Sequence, residues 1–164
     1  MPINHIGGVE TITGTVFHNL TINTTTVGNV GTGEDDLRTY SVPAATLAVN
    51  GDHVEFEAAG TFAATANNKR VKAKFGATTI LDTGVLAITA AGDWQITGKV
   101  IRTGAATQKC VALFTCTDAA LPTLTDYSTA AETLSGAVTL KLTGEATANN
   151  DIVQELLIVR LLPV

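Results

Sequence analysis

Apolar and polar side chains alternate through most of this chain, the period of a half-buried β-strand. From Leu37 onward the alternation falls into eight runs: LRTYSV (37–42), HVEFEAAGTFA (53–63), KRVKAKF (69–75), ATTILD (77–82), DWQITGKVIR (93–102), QKCVALFTC (108–116), TLSGAVTLKLT (133–143) and DIVQELLIVRLL (151–162). Val54 and Phe56 share one face of their run, as do Val71, Ala73 and Phe75, then Trp94, Ile96 and Val100, then Leu134, Val138, Leu140 and Leu142. QKCVALFTC is apolar on both faces. The last run has the leucines of a helix, but Ile152, Val153, Ile158 and Val159 are β-branched and favour a strand. It is expected to be a central strand buried on both faces.

The breaks between runs carry turn chemistry. Pro43 ends the first run, and Asn50-Gly51 precedes the second. The tetrapeptide TANN occurs at 65–68 and again at 147–150, each time just before a strand run. Asn tolerates left-handed backbone and closes local turns, so both copies read as turns, expected at opposite ends of the molecule. A long connection, TDAALPTLTDYSTAAE, spans 117–132. Eight short antiparallel strands joined by polar turns predict an all-β, eight-stranded antiparallel jelly-roll sandwich over 37–164.

Residues 1–36 read differently. VETITGTVF and LTINTTTV are polar and β-branched, bounded by glycines, with few large side chains for a core. They predict an extended N-terminal arm with one or two short strands, and GTGEDD (31–36) marks the break before the main domain. The apolar residues of the arm, Ile3, Ile6, Val9, Ile12, Val16 and Phe17, together with His5, are the candidates for contact with a partner.

Composition narrows the functional classes. Charged residues make up only 15% of the chain against 45% hydrophobic, so part of the surface is expected to be covered by a partner or by further copies. The net charge of −5 offers no basic stripe for nucleic acid or an anionic membrane. No apolar run reaches the length of a membrane span, and MPINHIGGVE lacks the basic and apolar regions of a secretion signal. Cys110 and Cys116 would lie about 20 Å apart on one strand, against about 4.4–6.8 Å between the Cα atoms of a disulfide. Both are read as reduced thiols of a protein made in a cytosol.

No catalytic set emerges. Ser41, Ser128 and Ser135 lie outside any nucleophile elbow, and His5, His18 and His53 are not at metal spacing with one another or with a cysteine. Glu55 and Glu57 share a strand face that solvent explains, and Glu34, Asp35 and Asp36 lack the alternation of a calcium loop. The chain is therefore read as a non-enzyme without cofactor or metal. Arg70, Lys72 and Lys74 on one strand face, with Trp94 and Arg102, are the candidates for a subunit interface. The acids Asp35, Asp36 and Asp151 are candidates to meet those cations across it.

Four segments carry a resemblance. Tyr40 to Leu47 (YSVPAATL), Asn67 to Gly76 (NNKRVKAKFG), Trp94 to Gly104 (WQITGKVIRTG) and Ala148 to Asp151 (ANND) resemble the turn and core motifs of small virion proteins of tailed bacteriophages. The resemblance covers roughly 34–162 and leaves the arm uncovered. It implies a jelly-roll homotrimer located on the virion and assembled in the host bacterial cytoplasm. The implied role is capsid decoration (cement), with the major capsid protein as partner. The alternative is a tail-fibre head or receptor-binding tip that contacts a host glycan or protein. Few aromatic side chains, 5% of the chain, are available for glycan platforms.

Overall fold

The computed structural model describes residues 18–117 and 123–164. They form eleven strands and no helix: β1 (His18–Asn23), β2 (Val27–Gly28), β3 (Gly33–Val42), β4 (His53–Phe62), β5 (Arg70–Phe75), β6 (Thr78–Asp82), β7 (Gly92–Gly104), β8 (Thr107–Cys116), β9 (Leu124–Ala130), β10 (Val138–Ala146) and β11 (Ile152–Leu162). Every pairing is antiparallel. One sheet runs β1-β11-β4-β7-β8-β9, with β2 also on β11, and the other runs β3-β10-β5-β6.

The alternation read from the sequence is the alternation of burial. Strands β4 and β5 place every second residue inside, Val54, Phe56 and Ala58 on one and Val71, Ala73 and Phe75 on the other. Trp94, Ile96 and Val100 of β7 and Val138, Leu140 and Leu142 of β10 join them in a single core between the two sheets. Each such side chain contributes on the order of 1.5–3 kcal/mol by leaving water, which is what fixes the register: a one-residue slip would turn the whole row outward.

Three differences from the sequence reading have physical causes. The final segment is a strand paired on both sides, by β1 and β4, but only its inner face is buried and its outer face is half-covered. The stretch 31–36 is not a break, since Glu34, Asp35 and Asp36 belong to β3 and pair with Glu145, Gly144 and Thr143 of β10. Their charge is compatible with a strand because β3 is an edge strand and lysines face Glu34 and Asp36. The long connection contains β9, whose LTDYSTA has only Leu124 as a large apolar inner residue, with Asp126, Ser128 and Ala130 following it on that face; it is held by pairing with β8.

Turn residues close the sheets where the sequence placed them. Gly76 follows β5 with φ of 57°, and a Cβ there would lie 2.1 Å from the Glu132 carboxyl carbon. That carboxylate accepts the Ala77 N–H at 2.7 Å, so the missing side chain is what lets Glu132 cap the turn.

Candidate functional site

The outer face of the β3-β10-β5-β6 sheet carries a network of ion pairs. Arg70, Lys72 and Lys74 project from β5 in one row, and the pairing registers set Glu145 and Glu34 beside Arg70. The Arg70 guanidinium donates to Asp82, with Nε at 2.8 Å, and Nη1 lies 3.6 Å from Glu145. Lys72 and Lys74 both hold Glu34, Lys72 also lies 3.7 Å from Glu145, and Lys141 meets Asp36 at 2.8 Å. The three cations proposed for an interface are thus neutralised by acids of their own chain. Asp35 instead accepts the Val30 N–H at 2.8 Å, so none of the three consecutive acids is left for a metal. No group of His, Cys, Asp and Glu fit to hold a metal occurs among the described residues.

Partial burial works against ionisation of Glu34, but the hydrogen bonds from Lys72 and Lys74 outweigh it and lower its pKa from 4.5 to about 2. A carboxylate with a depressed folded-state pKa adds stability above its ordinary value that is lost as pH falls through the folded value. Acid titration of stability should therefore show a component between pH 4.5 and about 2 that Glu34→Gln removes. Equal losses for wild type and variant across that window would show that the lysine pair does no such work.

The end of the sandwich that carries both TANN turns is a buried polar knot. The two copies were expected at opposite ends; they lie together because β4–β5 and β10–β11 connect at the same end. Asp151, 1% exposed, accepts Thr65 Oγ1 at 2.7 Å and Asn67 Nδ2 at 2.8 Å from the first copy, and the Ala148 N–H at 3.0 Å from the second. Lys69 is fully buried, and its Nζ donates to the carbonyls of Thr65, Asn67 and Ile88 at 3.0, 3.1 and 2.9 Å. Asn149 Oδ1 accepts the Gly31 N–H at 2.6 Å. Buried Asn29 donates to Ala148 O and accepts the Ile152 N–H, both at 2.9 Å. Burial opposes the charge on Asp151, but its hydrogen-bond donors prevail and lower its pKa. Burial also lowers that of Lys69, against the pull of Asp151. Sequence reasoning missed this knot, although the signal was there: the alternation that puts Val71, Ala73 and Phe75 inside puts Lys69 on the same row.

The remaining candidates fall elsewhere. Trp94 is 1% exposed inside the core, where it meets the Phe62 ring and donates Nε1–H to Thr61 O at 3.3 Å, so its side chain is not a surface group. Arg102 sits at the end of β7 and donates to the Leu47 and Ala48 carbonyls, pinning the β3–β4 connection. Ile3, His5, Ile6, Val9, Ile12, Val16 and Phe17 lie outside the described residues. His53 Nδ1 contacts Gly51 O at 3.2 Å and Nε2 lies 3.8 Å from Glu55. No disulfide joins the cysteines, and burial pushes the Cys110 thiol up to about 11, which leaves it a poor nucleophile.

The outer face of the other sheet is different in kind. Shallow troughs of about 200 and 560 Å³ run across it, one over Glu55, Thr97, Lys99, Val111 and Leu113, the other over Ala59, Thr61, Gln95, Thr115 and Glu155. Its ion pairs are fewer: Lys99 meets Glu55 at 2.5 Å, and Gln95 donates to Glu57 at 2.9 Å. Aliphatic and threonine side chains fill most of the rest. This is a surface suited to contact rather than to chemistry. No protein-family model, curated protein or solved structure matches the chain, so the reading of its function rests on these surfaces and on the sequence motifs.

Proposed function

We propose that the chain is a structural protein of a bacteriophage virion, a homotrimeric capsid decoration protein with a jelly-roll body and an arm that grips the shell. The observation that carries the reading is the pairing order. Taking β1, β3, β4, β5, β6, β7, β10 and β11 as the eight strands of such a body, the first pairs with the last, the second with the seventh, the third with the sixth and the fourth with the fifth. That order supports one long antiparallel hairpin rolled over on itself, the architecture of many capsid and lectin domains. The β8–β9 hairpin then extends one sheet from the edge strand β7.

The motifs that resemble phage virion proteins lie on this body: Tyr40 to Leu47 around the end of β3, and Ala148 to Asp151 in the turn before β11. A cyclic trimer matches a local threefold site on a shell. Three arms per trimer multiply weak contacts through effective concentration.

The test of the arm must spare the fold. Removing residues 1–33 would also take away β1, β2 and the buried Asn29, which satisfies Ile152 N–H and Ala148 O. Deleting residues 1–17 leaves those in place. The truncated protein is expected to keep its fold and oligomeric mass and to lose sedimentation with undecorated phage heads. Full binding by the truncated protein would refute the arm. On purified particles, a band in amounts comparable to the major capsid protein supports decoration, whereas a few copies per particle would move the assignment to a fibre head.

A further inference from the structure

We infer that the free edge of β3 takes an extended strand of a partner protein, and that Arg38 selects a strand carrying a carboxylate. The inference rests on the reading above, under which that partner is the shell protein, and it supplies the contact that the body makes beside the arm.

Each sheet has two edges. Strands β6 and β9 lie against each other, which closes one flank of the sandwich. On the other flank β1 is six residues long and irregular between Asn19 and Thr21, and short, irregular edges pair poorly. Strand β3 runs for ten residues. Its first half is occupied, since Asp35 accepts the Val30 N–H at 2.8 Å from the connection after β2. Over residues 38–42 the register with β10 is unbroken, and among the described residues no backbone hydrogen bond reaches this stretch from its other side. Five residues at about 3.3 Å each span roughly 16 Å, room for a short added strand.

Arg38 sets what can pair there. Asp36 pairs with Thr143 and Arg38 with Leu142, so Leu37 is the extra residue of a bulge. Bulges re-aim side chains. Glu34 and Asp36 face the lysines of the outer surface, whereas Arg38 falls in the inner row with Tyr40 and Val42. It is the one cation of the smaller sheet without a hydrogen bond or ion pair among the described residues, and its Nε and Nη2 are shut from solvent with no acceptor. Those two nitrogens form a fork that fits a carboxylate, and Arg70 uses the same pair to hold Asp82. The neighbour of Arg38 on β10 is Leu142, which offers no acceptor side chain. A strand added at the open edge would place a side chain directly opposite Arg38, about 4.5–5.5 Å away between Cβ atoms. A glutamate or aspartate there satisfies the fork once the half-exposed arginine turns toward it. A neutral strand leaves the cation stranded, so an inward charge on an edge turns most strands away and admits the complementary one.

The test is amide hydrogen exchange in the full chain with two synthetic peptides: a short alternation of threonine and valine with a central glutamate, and the same peptide with glutamine. The glutamate peptide is expected to slow exchange at the free-side amides of residues 38–42 at a concentration about fivefold below that needed for the glutamine peptide. Arg38→Glu should abolish that preference. It should also weaken sedimentation with undecorated phage heads by more than about tenfold, because three edges per trimer act together. Lys109→Glu, on the larger sheet, should change neither.

The peptide comparison is made on the wild-type chain, so it decides even where Arg38→Glu does not fold. Equal effects of the two peptides, or none at residues 38–42, overturn the inference: Arg38 then only keeps edges apart. Sedimentation of Arg38→Glu equal to wild type overturns it too, because the shell is then not the occupant. A chain that prefers the glutamate peptide yet never sediments with heads upholds the edge and refutes the decoration role instead.

Discussion

Replacing Asp151 with alanine is expected to remove about 3–5 kcal/mol of folding stability, the cost of stranding a buried partner charge. Native domains are stable by only about 5–15 kcal/mol, so much of the margin would go. The loss has two parts. Thr65 Oγ1, Asn67 Nδ2 and the Ala148 N–H lose their common acceptor, and the buried Lys69 ammonium loses the nearby Asp151 charge that favours it. Guanidinium unfolding would read it as a lower midpoint at unchanged slope. Adding Lys69→Met should recover part of the loss, because the stranded charge is then gone. A cost below about 1 kcal/mol for Asp151→Ala would mean that water satisfies the knot and that the Asp151 carboxylate is not what holds this end closed.

That knot marks the limit of what the sequence discloses here. Strand alternation is local, so the inner rows of β4, β5, β7 and β10 were legible residue by residue. The tetrapeptide TANN was legible as a turn, but not where the two turns would meet, because that depends on which strands pair across more than eighty residues of chain. Lys69 falls on the inward row with Val71, Ala73 and Phe75, but what would satisfy a charge there is not local, and Asp151 looks like an ordinary turn residue when only its neighbours in sequence are considered. Strand β9 was illegible for the opposite reason: its inner row runs Leu124, Asp126, Ser128 and Ala130, too broken by polar residues to display a hydrophobic period. The outer face of β8 was half-legible. QKCVALFTC is apolar on both sides, which in a two-layer sandwich means that one apolar side must face outward; only the register of β8 with β9 showed that side to be continuous with Tyr127.

Trp94→Ala is expected to cost about 3–5 kcal/mol, the range for removing a large aromatic side chain from a packed core. The side chain lies against the Phe62 ring at a centroid distance of 6.3 Å, in space that exists because residue 60 is glycine. A Cβ on Gly60 would come within 2.8 Å of the indole ring and 1.9 Å of the Val153 carbonyl oxygen. The indole cannot be replaced from the sheet side, since the strands around it are fixed by backbone pairing, so its loss leaves a cavity rather than a collapsed core. A tryptophan working at a subunit contact would behave differently: its removal would weaken assembly and spare the single chain. Following the oligomeric mass by light scattering beside the guanidinium unfolding midpoint separates the two. The midpoint should fall at every protein concentration. A loss of mass with an unchanged midpoint would mean that Trp94 acts through association and that its place in the core of the single chain is not what it contributes.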